Sequence, residues 1–151
     1  MDYTEKYPWL RDSDDPYVVP DDTWLDSVPE GWKAAFLETC ETILQILTEN
    51  KVAPEALKFI QVKEKFGALR IYSALEAEDQ GVHGLIRNAL YELEEKTAKM
   101  CINCGAPATY MSTGWILPNC WSCAVAANNA ANERHKTNIP FDKAFKKMEL
   151  H

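Results

Sequence analysis

The alternation of apolar and polar positions divides the chain into stretches of different period. Trp32, Phe36, Cys40, Ile43, Leu44 and Leu47 recur at helical spacing and predict one buried stripe. Ser27-Val-Pro-Glu30 has the spacing of a capping box with Pro29 in the first turn, so this helix is expected to start around Ser27. Glu49, Asn50 and Pro54 close it. Cys40 lies on the stripe and reads as a small buried hydrophobe. Over residues 57–74 the period falls to two. Ile60 and Val62 alternate with Gln61 and Lys63, and Leu69 and Ile71 with Arg70 and Tyr72, around a turn in residues 64–67. This predicts an antiparallel hairpin. A second helix is expected over about residues 80–99, with Val82, Ile86, Ala89, Leu90, Leu93 and Thr97 facing inward.

The ends of the chain are less regular. Residues 1–27 read as an arm: Pro8, Pro16 and Pro20 interrupt any helix, and Asp12, Asp14, Asp15, Asp21 and Asp22 keep it hydrated. The same arm holds Tyr3, Tyr7, Trp9, Leu10, Tyr17 and Trp24, and a large aromatic gains ~1.5–3 kcal/mol on burial. It is expected to dock on its own domain, with presentation of Tyr7, Trp9 and Trp24 to a partner as the alternative. The expected organisation is the arm, an α+β core at 28–100, a cysteine finger at 101–135 and a tail or short helix at 136–151.

Composition and charge narrow the function classes. No run of apolar residues approaches the ~20 of a membrane span, so no membrane partner is expected. No secretory signal is visible at the start, which predicts a cytoplasmic location. The net charge of −7 argues against coating nucleic acid by bulk attraction. The charge is uneven, however. Residues 1–50 hold 3 basic and 12 acidic side chains, residues 51–95 hold 6 and 8, and residues 96–151 hold 7 and 3.

The strongest chemical signal is Cys101-x2-Cys104, fifteen residues, then Cys120-x2-Cys123. Two such knuckles complete a tetrahedron of thiolates, and the spacing belongs to the zinc class. One Zn²⁺ is expected, and four protein ligands make it structural rather than catalytic. Gly105 suits the tight return after the first knuckle. Disulfides need an oxidising compartment, and a thioredoxin-type pair would use a single Cys-x2-Cys. No His-x-Glu accompanies the cysteines, which excludes the zinc deaminases. Residues 108–111 and 115–117 can pair as a short hairpin, and the Ala-rich stretch after Cys123 predicts a helix weakened by Asn128, Asn129 and Asn132. The resulting order of knuckle, hairpin, knuckle and helix is treble-clef-like, with a plain zinc ribbon as the alternative.

Several pieces occur together: Tyr7-Pro8-Trp9-Leu10, Pro29-Glu30-Gly31-Trp32, the run from Gln61 to Tyr72 containing Val62-Lys63-Glu64-Lys65-Phe66-Gly67, Cys101-x2-Cys104-Gly105, Gly114-Trp115-Ile116, and Cys120-x2-Cys123. In this combination the chain resembles an uncharacterised family of small bacterial and phage or prophage proteins, over most of residues 7–124. Members commonly carry Gly where Ala68 stands. The resemblance implies no particular activity; a phage or prophage setting makes host interaction or counter-defence the expected theme.

No nucleophile elbow, Walker loop or open metal site is present, so an enzyme is the least supported class. The favoured expectation is a non-enzymatic zinc-binding interaction protein with a protein partner. A nucleic-acid-binding finger is the alternative, with Trp115 or Trp121 stacking on bases; packing around the zinc core is the simpler expectation for both. Capture of a small anion such as a nucleotide by Lys63, Lys65 and Arg70 is a further alternative, against a solvated strand face with Glu64 paired across the hairpin.

Overall fold

The computed structural model describes residues 3–11 and 23–149. The aspartates, prolines and Tyr17 of the arm between these stretches lie outside the described residues. From the N-terminus, a single turn α1 (Tyr3–Lys6) and a 3-10 turn (Pro8–Leu10) are followed by 3-10 turns at Trp24–Ser27 and Glu30–Trp32. Then come α2 (Lys33–Glu49), β1 (Leu57–Lys65), β2 (Ala68–Leu75) and α3 (Gln80–Thr97). The C-terminal part holds β3 (Tyr110–Ser112), β4 (Pro118–Asn119), α4 (Trp121–His135), α5 (Phe141–Ala144) and β5 (Phe145–Lys147). The fold is α+β, with an antiparallel β1–β2 hairpin and an antiparallel sheet of order β4-β3-β5.

The main core lies where α2, α3 and the hairpin meet. The helical stripes behave as their spacing predicts: Trp32, Phe36, Cys40, Ile43 and Leu47 are buried on one side, Val82, Ile86, Ala89, Leu93 and Thr97 on the other. Thr97 is polar but satisfied, because its hydroxyl accepts the Leu69 N–H at 2.9 Å and donates to Leu93 O at 2.9 Å. The described residues of the arm dock into this core. Tyr7 and Leu10 are buried, and Trp9 is 1% exposed and packs its ring near Phe59. Trp9 Nε1 has no oxygen partner; the Cys40 thiol beside it is a weak acceptor. Burial pushes that thiol up to about 12, leaving it inert.

Three local expectations are corrected. The capping box does not form: Ser27 ends a 3-10 turn, and α2 starts at Lys33 with no side-chain cap. A backbone contact decides this. Gly31 N–H donates to Ile102 O at 2.9 Å, and a Cβ on Gly31 would meet Cys101 O at 2.3 Å. The entrance to α2 is thus shaped by the cysteine turn it lies on. In β1, a bulge between Phe59 and Gln61 inserts one residue, so Phe59 faces the core and Ile60 turns out at 60% exposure. Glu64 is not paired to a cation across the hairpin. It stands opposite Leu69, and its carboxylate takes N–H groups from Gly67 and Trp115.

The C-terminal unit differs most from its expected form. The β3–β4 pairing is shifted, with Tyr110 opposite Asn119 and Met111 opposite Pro118, leaving residues 113–117 as a loop. The tail contributes α5, as a short helix, and then β5, a strand that pairs along β3. Aromatic filling comes from this tail: Phe141 lies 5.2 Å from Tyr110 and 5.4 Å from Phe145, centroid to centroid. The asparagines that weaken α4 hold the tail in place. Asn128 and Asn132 both donate to Ile139 O, at 3.2 and 2.9 Å, and Asn132 Oδ1 accepts from Ile139 N and Thr137 Oγ1.

Candidate metal centre

Each cysteine is positioned by backbone hydrogen bonding around its turn. Cys101 N–H donates to Ala106 O at 2.7 Å and Gly105 N–H to Cys101 O at 2.9 Å, folding the first knuckle back on itself. Gly105 has φ +81, and a Cβ there would also meet Gly31 O at 2.7 Å. Both penalties require glycine at this return. The second pair sits at the start of α4. Cys120 is the N-cap, its sulfur accepting from Cys123 N–H at 3.5 Å, and Cys123 lies in the first turn. Ile102 N–H to Pro118 O at 2.9 Å ties the two knuckles together.

The four sulfurs, from Cys101, Cys104, Cys120 and Cys123, all lie within 4.8 Å of one another. Cys104 and Cys120 are 3.7 Å apart. A tetrahedron with metal–sulfur bonds of ~2.3 Å has edges of about 3.8 Å. The residues therefore fit a metal ion that prefers four thiolates. None of them is in a disulfide. The Cys120 thiol is drawn down to about 6 by the Ser122 hydroxyl and then by the Cys123 N–H. Cys123 is pushed up, chiefly by its hydrogen bond with the Cys120 sulfur and then by desolvation. Four ionised sulfurs at this spacing require a cation among them.

Other expected site residues are scattered. Tyr7 and Trp9 belong to the core, which removes them from any solvent-facing binding surface. Trp24 is half-buried and donates its indole N–H to Phe59 O at 2.9 Å. Lys63 and Arg70 are direct cross-strand neighbours. Arg70 does not join Lys63 and Lys65 as an anion ligand, because Glu94 engages it at 2.9 Å; Lys63 lies over the Tyr72 ring and Lys65 over the Phe66 ring. Trp115 and Trp121, expected to fill the finger, are 73% and 59% exposed. Tyr110, Phe141 and Phe145 do that filling instead.

Phe66 is a site residue that pattern reading passes over. It is 76% exposed at the hairpin tip and has φ 54, followed by Gly67 with φ 83. Two consecutive positive φ values fit a type I′ turn, for which Asn-Gly is the favoured pair. A phenylalanine there is costly. The signal was in the sequence as a bulky residue before Gly in a two-residue turn.

The chain matches no family model, no curated protein and no solved structure. Among the described residues no helix is long and apolar enough to cross a membrane.

Proposed function

We propose that the protein is a non-enzymatic, zinc-binding interaction protein: a treble-clef-like four-cysteine finger seated on an α+β core, the finger holding a binding face in place. The closure of the cysteine cluster carries this reading. Four thiols surround one point, so a bound Zn²⁺ would have no free position for substrate and would act structurally. The ion supplies the charge that lets the thiolates coexist; Cys101, Cys104, Cys120 and Cys123 orient the loops around it. Thiolate ligation and the free Cys40 suit a reducing compartment, the cytoplasm.

What the finger holds is aromatic. Gly67 at the hairpin tip packs against Ile116 O, Pro118 and Met111 of the finger, and Trp115 Nε1 donates to Glu64 at 3.0 Å. The exposed Phe66, Trp115 and Ile116 thus meet on one face. The arm's described aromatics are docked, so this face is the better binding surface. Copurification from cells with the full-length protein tests the reading, in parallel with a Phe66→Ala/Trp115→Ala variant. A protein or nucleic acid retained by the native chain and lost with the variant supports it. Identical retained material from both overturns it.

A further inference from the structure

The two sequence pieces Lys63–Phe66 and Gly114–Ile116, far apart in the chain, line a single groove of about 450 Å³. Its apolar wall is Phe66, Trp115 and Ile116; Lys63 and Lys65 stand along its rim. The Trp115 ring is tethered at its edge through the bond from Nε1 to Glu64, while most of its surface faces solvent. A third cation lies on the finger, outside the lining of the groove. Lys146 on β5 is the cross-strand partner of Met111, so it projects from the same sheet face, the face whose Met111 sulfur lies 3.7 Å from where a Gly67 Cβ would be. Lys63, Lys65 and Lys146 make no ion pair with a described residue. Glu64, the acid in the groove, is occupied by two N–H donors.

We infer that this groove binds single-stranded nucleic acid, an unstacked base lying against Trp115 and Phe66 and the flanking phosphates meeting Lys63, Lys65 and Lys146. The inference rests on the interaction reading above and names its partner. Base stacking on exposed aromatics beside cations is the general physics of single-strand recognition. A duplex keeps its base faces stacked inside and cannot use such a platform. The overall charge of −7 does not oppose local binding, because 12 of the 23 acidic residues lie in residues 1–50 and the groove is built from later segments. The unusual Phe66 conformation fits the same role: an aromatic occupies a turn position where asparagine is more stable, and it points to solvent.

Fluorescence anisotropy of the zinc-loaded full chain with fluorescein-labelled 15-mers of oligo-dT and oligo-rU tests this, the two arms separating DNA from RNA. Saturable binding to at least one is expected, with 15-bp duplex bound at least tenfold more weakly. Affinity should fall with salt at a log–log slope of about −2, for three phosphate contacts on a single strand. Trp115→Ala and Lys63→Glu/Lys65→Glu should each weaken binding about tenfold or more. Phe66→Asn is the sharpest variant, since it should weaken binding while raising the melting temperature. The inference is overturned by no saturable binding at 50 mM salt, by binding indifferent to Trp115→Ala, or by equal affinity for duplex. Displacement of the oligonucleotide by an equimolar 15-residue oligo-glutamate would overturn it in favour of an acidic protein segment. If oligonucleotides fail but copurified proteins still depend on Phe66 and Trp115, the interaction reading stands and only the partner is wrong.

Discussion

The two halves of this molecule use the same kind of side chain in opposite ways. Around α2, α3 and the hairpin, Trp9 and Trp32 are buried beside Phe36, Leu10 and Ile43. In the C-terminal unit Trp115 and Trp121 face solvent, and the interior is a few aromatics from β3, α5 and β5 with four thiols nearby. The first half is held by apolar burial, which needs its largest residues inside. The second has little apolar volume to bury, and its loops are fixed by cysteine turns and backbone bonds. A metal ion held by the thiol cluster would replace much of what a core contributes, which would leave large aromatics free for the surface.

The sharpest way to break this contrast is to remove one thiol. Cys101→Ser should abolish metal binding and unfold residues beyond about 100, since zinc supplies on the order of 10 kcal/mol in comparable units. Hydrogen exchange should show fast amides in β3–β5 and α4 while α2 and α3 stay protected. Next in size are the tryptophans. Trp9→Ala should destabilise the chain by about 3–5 kcal/mol in thermal unfolding. Trp115→Ala should stay within about 0.5 kcal/mol, because the residue is exposed and makes one side-chain hydrogen bond.

The seam between the halves is Gly31. Its added methyl would strike Cys101 O and Ile102, so Gly31→Ala should cost about 1–3 kcal/mol and weaken metal affinity in a chelator competition. The smallest effect is in the arm. Glu41 is held below the ordinary carboxyl value of 4.5, first by Lys6 and then by the Tyr7 hydroxyl. Its folded value lies under its unfolded one, so its contribution is complete above 4.5 and is lost as pH falls through the folded value. Glu41→Gln should flatten that acid limb slightly in melts taken across pH 3–6, and leave the metal content unchanged.

Periodicity alone exposed the helical stripes from Trp32 to Leu47 and Val82 to Thr97, and spacing alone exposed the four cysteines and Gly105. These features are local, and each has one dominant cause. The rest depended on segments distant in sequence. Ser27 lost its capping role to a contact between Gly31 and Ile102, and Ile60 was turned outward by one inserted residue at the bulge. The Phe145–Lys147 strand is three residues long and has meaning only beside β3. Trp115 was misread because exposure follows from what else fills the finger, and the filling comes from the tail.

The C-terminal half stands or falls with the thiol cluster. Elemental analysis of the purified, reduced chain, followed by cobalt substitution and absorption spectroscopy, tests it directly. The prediction is one zinc per chain and, with cobalt, the intense thiolate-to-metal and tetrahedral bands of four sulfur ligands, both lost in Cys123→Ser. A reduced, folded chain that holds no metal, or holds it unchanged without Cys123, would contradict the account.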